Sequence, residues 1–257
     1  MTANMTGCGV IYVATGSKYL AEAEYSALSV RRVSPRVPLA IISDGAPTSD
    51  LFDIRLTLAD PEHSFLDKVI ALTRTPFDKT LFLDTDTFAI GPVEEIFELL
   101  DRFDIAAAAE PARYLYQISG VPIAFPELNT GVVLYRKNED VLELIRQWDK
   151  MYRDEIASKI SAGVCPWHDQ LAFTRAIYGS KARFFMLPPE FNARVMLPTA
   201  ISGPIRIAHC RLKRPDQYEV NLGKLNRTIN PRNINPNPKR ILEIVLRTLS
   251  LFLILKR

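Results

Sequence analysis

Thr80-Leu-Phe-Leu-Asp-Thr-Asp-Thr-Phe-Ala-Ile90 is the stretch whose reading decides the fold. Its apolar run Leu81-Phe82-Leu83 is short, β-prone and free of charge, the pattern of a strand buried on both faces. The run stops at Asp84 and Asp86, with Thr85 and Thr87 interleaved. At i and i+2 on extended backbone the two carboxylates point to one side, which suits a shared divalent cation. In open α/β sheets, ligands gather outside the carboxyl ends of the strands. The expectation is a metal site that holds a phosphorylated ligand. The plainer alternative is that both Asp side chains only turn the chain or cap the helix that Gly91-Pro92 prepares.

Upstream, Gly9-Val-Ile-Tyr-Val-Ala14 reads as a first strand, stopped by Thr15-Gly16-Ser17. A helix follows over Lys18–Arg31, with Tyr19, Ala23, Ala27 and Val30 at helical spacing. Val37–Ile42 is a second buried strand, so the chain opens with a βαβ unit and a parallel sheet. Phe52–Leu58 gives a short third strand. Ser64–Thr75 is a helix carrying Phe65, Val69 and Leu72 on one side, ended by Pro76, and it feeds the Asp strand. Downstream, Pro92–Phe103 is expected as a helix with Ile96, Leu99 and Leu100 facing inward. Strands follow at Ile105–Ala109 and at Thr130–Tyr135, the latter reached through Asn129. Between them Pro111–Glu127, with Tyr114, Tyr116 and Phe125, is a long loop of the kind that carries function. Asp140–Ala157 is an amphipathic helix and Gln170–Tyr178 another. Phe184–Leu187 and Ile205–Ala208 complete the strands, the last delivering His209.

The 257 residues, 47% hydrophobic and 24% charged, suit one large domain or two small ones. The net charge of +3 is unevenly spread: from Arg206 onward there are twelve Lys/Arg against three Asp/Glu. Cys8, Cys165 and Cys210 are widely separated, with no C-x-x-C, which fits a reducing cytosol better than a disulfide framework. The N-terminus lacks the pattern of a signal peptide, so a cytoplasmic chain is expected. Asn221–Pro238 is rich in Asn and Pro. Lys239–Arg257 is amphipathic with basic ends, too short and too charged to span a bilayer. It suits either a membrane interface or packing on the domain or a second subunit. The C-terminal basic charge lacks the aromatic-basic motif of a nucleic-acid module.

Two known patterns fit the central stretch. One is the haloacid-dehalogenase-like phosphatase motif, in which Asp84 would be the nucleophile and Asp86 the general acid–base residue with Mg2+. That family also needs an acidic pair after a later strand, which is not evident here, and places its motif on the first strand. The other is the D-x-D of a GT-A glycosyltransferase. The sequence resembles the family-eight retaining glycosyltransferases, the glycogenin and lipopolysaccharide galactosyltransferase group. The matching pieces, in the family's order, are Val13-Ala-Thr15, Lys68, Asp78–Asp86, Asn129-Thr-Gly-Val-Val133, His168-Asp-Gln170 and Ile207-Ala-His209.

The resemblance implies a GT-A α/β domain, taken over 1–215; composition adds a basic Asn/Pro-rich linker over 216–238 and the amphipathic helix over 239–257. It implies Mn2+ or Mg2+ held by Asp84, Asp86 and His209, neutralising a diphosphate leaving group. Imidazole beside carboxylates suits Mn2+ somewhat better. It places Ala14, Thr15 and Tyr19 near the nucleotide. Lys68, Thr85, Asn129, Gly131 and Lys213 also fall near the donor, although the family's Gly and Lys-Pro-Trp pattern after the His is not reproduced. Asp169 and Gln170 fall beside the reacting carbon, serving retention or, with Asp169 as general base, inversion. The implied substrates are a nucleotide-diphosphate sugar, UDP-linked by resemblance, and a carbohydrate or lipid-linked hydroxyl acceptor. A transferase-like scaffold without turnover keeps the same fold. A sugar-nucleotide pyrophosphorylase would need a longer Gly-rich loop than Thr15-Gly-Ser-Lys18.

Overall fold

The computed structural model describes residues 7–111, 118–161, 168–194, 201 and 203–210. Lys213, the expected linker and the expected C-terminal helix lie outside the described residues, as do Tyr114, Tyr116 and Cys165. Among the described residues no helix is long and apolar enough to cross a membrane.

The apolar runs form the strands of a seven-stranded sheet: β1 (Cys8–Ala14), β2 (Leu39–Ser43), β3 (Ile54–Thr57), β4 (Lys79–Leu83), β6 (Ile105–Ala109), β7 (Leu128–Arg136) and β8 (Phe184–Leu187). Their order is β3-β2-β1-β4-β7-β6-β8. Strands β3, β2, β1 and β4 are mutually parallel, as the βαβ reading requires, and β6 pairs parallel with β8. Strand β7 runs antiparallel between β4 and β6.

Side-chain alternation splits the core across the two faces of this sheet. Val10, Tyr12, Leu81, Leu83, Val132 and Leu134 face α1 (Ser17–Val33) and the turn of helix at 94–101. Ile11, Phe82, Val133 and Tyr135 face α2 (Phe65–Ala71), α3 (Glu139–Ser161) and α4 (Gln170–Gly179). With both faces covered, the strands read as continuous apolar runs rather than alternating ones.

A second sheet of three strands has the order β5-β10-β9. It consists of β5 (Thr87–Ala89), β9 (Ala193–Arg194) and β10 (Ile207–His209). Strands β5 and β10 are antiparallel, with His209 opposite Thr87.

Two expectations change. The segment expected as an α-helix at Pro92–Phe103 is a 3-10 helix over Glu94–Asp101. Its buried residues Ile96, Phe97 and Leu100, with Val93 ahead of them, serve a tighter helix as well as an α-helix. The last strand begins at Ile207 rather than Ile205 and belongs to the small sheet, so His209 lies within a strand rather than after one.

Candidate functional site

Strand β4 ends at Leu83, and Asp84–Thr87 form a turn into β5 rather than extended chain. Thr87 closes it twice, its N–H donating to the Asp84 carbonyl at 3.1 Å and its Oγ1 at 2.7 Å. The sequence placed both carboxylates on one side of a strand; the turn achieves the same convergence by reversing the chain. Each Asp is then pinned to a different strand. The Asp84 N–H donates to the Gly131 carbonyl of β7 at 2.8 Å, and the Asp86 carbonyl accepts from Cys210 N–H at 2.9 Å.

This places Asp84, Asp86 and His209 together, one ligating atom from each lying within 4.8 Å of the others. His209 Nε2 is 3.4 Å from Asp86 Oδ1. Donors bound to one hard cation at about 2.1 Å lie about 3 Å apart when cis and about 4.2 Å when trans. The 3.4 Å between His209 Nε2 and Asp86 Oδ1 is close to the cis spacing. The neighbouring Cys210 thiol is pushed up to about 11, by burial first and by Asp86 second. The three gathered residues offer an oxygen–oxygen–nitrogen donor set, which fits Mn2+ or Mg2+. Burial raises the Asp84 carboxyl above its ordinary range; Lys68 opposes this, and Asp86 adds to it.

Gly131 makes room for the histidine. A Cβ there would stand 2.1 Å from His209 Cε1, so the imidazole lies directly against the β7 backbone. The ring's other neighbours are Asn192, whose Oδ1 is 2.9 Å from Nδ1, and Arg194, whose guanidinium nitrogen is 3.1 Å from Nε2 and 3.3 Å from Nδ1.

Lys68 is only 6% exposed and sits on α2, whose start is fixed by a capping box of Ser64 and Asp67. Its ammonium pairs with Asp169 at 2.9 Å and Asp84 at 3.6 Å, and donates to Thr130 Oγ1 at 3.1 Å. Burial lowers its pKa, but Asp169 and then Asp84 outweigh burial and hold it above the usual lysine value. Thr130 Oγ1 donates in turn to Asp169 Oδ1 at 3.0 Å. Asp169, 1% exposed at the start of α4, makes no capping hydrogen bond from its side chain. Its charge is committed to Lys68, not to the helix end.

Gln170 Nε2 donates to Glu127 at 3.2 Å, and its Oε1 accepts from Asn129 at 2.9 Å. Asn129 Nδ2 also donates to Glu110 at 2.7 Å, while its Oδ1 accepts from Gly131 N–H at 2.9 Å and from Asn192 at 2.8 Å. Asn129 is thus engaged within the protein at both ends of its amide. Thr85 Oγ1 donates to Glu22 of α1 at 3.2 Å.

At the end of β1, Ala14 is buried. Thr15 Oγ1 donates to Asp67 at 3.0 Å, tying this strand end to the cap of the helix that carries Lys68. Gly16, at φ 90°, donates its N–H to Asp44 at 2.9 Å. Tyr19 is exposed on α1 beside Lys18, and His168 is partly buried ahead of α4.

Glu110, Asn192 and Arg194 had no place in the sequence reading, and Glu127 stood there only as the end of a loop. Glu110 had a readable signal. It terminates the apolar run Ile105–Ala109 as Asp84 terminates Leu81–Leu83. Asn192 precedes, and Arg194 ends, a strand of two residues, for which no local pattern exists.

No family model and no curated protein matches this sequence. Solved structures do match its fold. The galactosyltransferase LgtC, in complex with donor and acceptor sugar analogues, is 13% identical with a TM-score of 0.59, over 84% of this chain and 95% of LgtC. The glycosyltransferase GlyE of Streptococcus pneumoniae is 15% identical with a TM-score of 0.56, over 86% of this chain and 60% of GlyE. Mouse xyloside xylosyltransferase 1 is 15% identical with a TM-score of 0.53, over 79% of this chain and 97% of the mouse chain. The mixed sheet flanked by helices, with the Asp84–Asp86 turn at its strand ends, is the GT-A fold that these glycosyltransferases share.

Proposed function

We propose that this chain is a metal-dependent glycosyltransferase that moves a sugar from a nucleotide-diphosphate donor, UDP-linked by resemblance, to a hydroxyl acceptor. The observation that carries the reading is the convergence of Asp84, Asp86 and His209, from positions about 120 residues apart, at the strand ends of this fold. That is where ligands collect in α/β sheets. A bound cation would supply Lewis-acid neutralisation of the departing diphosphate.

The chain's own residues do the rest. Lys68 holds Asp84 on one side and Asp169 on the other, so the metal turn and the start of α4 keep a fixed spacing. Asp169, ion-paired and hydrogen-bonded, acts as an oriented anion beside the reacting carbon, where it stabilises positive charge developing on the sugar. A carboxylate so committed is poorly placed to collect an acceptor proton, which favours retention over inversion by a general base. Gln170, which the resemblance puts beside the same carbon, has its amide held by Asn129 and Glu127. The phosphatase reading of the Asp pair is not favoured: its third partner here is an imidazole, and the Asp strand follows a complete βαβ unit.

Thermal shift or calorimetry with UDP, GDP, CDP and their sugars, in Mn2+ or in EDTA, tests the proposal. Stabilisation by one nucleotide diphosphate in Mn2+, absent in EDTA, is expected and names the base. No response to any of them would overturn it in favour of a non-catalytic scaffold.

A further inference from the structure

We infer that Asn192 is a positioning residue that fixes the tautomer of His209, and that its own orientation is set from the Gly131 backbone through Asn129. This rests on the metal-site part of the proposed function but not on the sugar-transfer part. Asparagine amides and histidine tautomers are ordinarily assigned by inference. Here the assignment is forced by groups whose role cannot change.

The Gly131 N–H can only donate, and it points at Asn129 Oδ1 at 2.9 Å. The Asn129 NH2 is thereby turned toward Glu110, at 2.7 Å, and Gln170 Oε1, at 2.9 Å. Asn129 Oδ1 also faces the Asn192 amide at 2.8 Å. Were Asn192 flipped, two carbonyl oxygens would meet at hydrogen-bonding distance inside a buried site, so its NH2 must face Asn129. The Asn192 carbonyl oxygen is left against His209 Nδ1 at 2.9 Å. A carbonyl only accepts, so Nδ1 carries the proton. In the neutral ring the lone pair then lies on Nε2, the nitrogen 3.4 Å from Asp86.

Both asparagines are buried, at 1% and 3% exposure, so the relay is shielded from bulk water that could rescue a wrong orientation. Arg194 can only donate, and its nitrogen stands nearer Nε2, at 3.1 Å, than Nδ1, at 3.3 Å, which agrees with a lone pair on Nε2. Gly131 therefore acts twice: its missing Cβ admits the ring, and its N–H starts the chain of orientations that aims the ring. Outer partners of metal-binding histidines set ligand orientation in this way, and their loss typically costs 10–100-fold in affinity.

The test is 15N NMR of the imidazole nitrogens in the metal-free protein, above the ring's titration. The chain has three histidines, so a His209→Ala comparison assigns the signals. Wild type is expected to show His209 protonated on Nδ1; a proton on Nε2 overturns the proposal without any variant being needed. In Asn192→Ala the Nδ1–H preference is expected to be lost, and affinity for Mn2+ alone, read from the free-ion EPR signal, to fall about 10–100-fold. Asn192→Asp keeps an acceptor against Nδ1 and is expected to keep the tautomer, with a lower Tm from the lost donation to Asn129. Unchanged Mn2+ affinity in Asn192→Ala also overturns the proposal. Because no nucleotide sugar is present, an Nδ1–H histidine in a protein that ignores every nucleotide sugar would count against the transferase reading alone.

Discussion

Gly131→Ala is a one-carbon change whose effects follow from a single distance. The added Cβ would sit 2.1 Å from His209 Cε1, 2.6 Å from Nδ1 and 2.9 Å from Nε2. Carbon atoms in ordinary contact stand about 3.5–4.0 Å apart, so the ring must retreat by about 1.4 Å or more. Its path is obstructed by Asn192 and Arg194, and retreat breaks the approach to Asp86. Metal sites tolerate ligand displacements of only about 0.2 Å, so His209 is expected to stop ligating and Mn2+ affinity to fall at least about tenfold.

Overpacking of this kind costs about 1–3 kcal/mol. Replacing a strand glycine whose φ is ordinary returns about 0.4–1 kcal/mol from the unfolded chain. The net loss is up to about 2.6 kcal/mol, with a middle value of about 1.3 kcal/mol or roughly 3–5 °C in Tm for a domain of this size. The assay that isolates the cause is a double-mutant cycle by thermal or urea unfolding. In a His209→Ala background the clash disappears, and Gly131→Ala should turn neutral or slightly stabilising. Equal destabilisation in both backgrounds would show that the imidazole does not pack on Gly131, and the geometry of the site would fall with it.

Two further outcomes follow from buried and half-buried charge. Lys68→Met leaves Asp169 and Asp84 without their shared cation, and removing one partner of a buried pair costs about 3–5 kcal/mol; a Tm within 2 °C of wild type would contradict the bridge. Asp104 is held down to about 2, by hydrogen bonds from the Arg183 side chain first, against the opposing effect of burial, with the Arg183 N–H and Asn138 adding to the lowering. Its folded pKa lies below the unfolded one, so its stabilisation is present above about pH 4 and lost as pH falls toward 2. Because the Arg183 side chain is 58% exposed, the screened contribution is about 1 kcal/mol. Urea unfolding of Arg183→Ala should show a fall between pH 5 and pH 2 that is smaller than wild type's by that amount; an unchanged pH dependence would contradict it.

The large sheet was legible because its strands are buried on both faces and announce themselves as apolar runs: Gly9–Ala14, Val37–Ile42 and Leu81–Leu83 fall on β1, β2 and β4. The small sheet was not. Strands β5 and β9 have three and two residues, and their pairing with β10 is a long-range event that no local window contains. For the same reason His209 was expected beyond a strand rather than in one. The Asp pair was visible from its abrupt position after an apolar run, but its partnership with His209 came from resemblance alone. Asn129 shows the limit most clearly. Its place in a family motif suggested contact with the donor, whereas its hydrogen bonds run to Glu110, Gln170, Gly131 and Asn192, partners fixed only by the tertiary fold.

Asp84 is the junction at which these parts depend on one another. It belongs to the candidate cation-binding set with Asp86 and His209, and it also receives Lys68 from α2. Burial and Asp86 push its carboxyl above the ordinary range, and Lys68, 3.6 Å away, opposes them. A divalent cation on the Asp86 side would add positive charge without displacing the lysine, since Lys68 is anchored independently by Asp169 and Thr130. The lysine and the cation thus act on one carboxylate from two directions, and their effects should not add. Because Asp169 shares the same lysine, charge placed in the metal site reaches the start of α4 through a single ammonium group. Under the proposed function, that contact would be the physical route by which a bound cation and the start of α4 are kept in register.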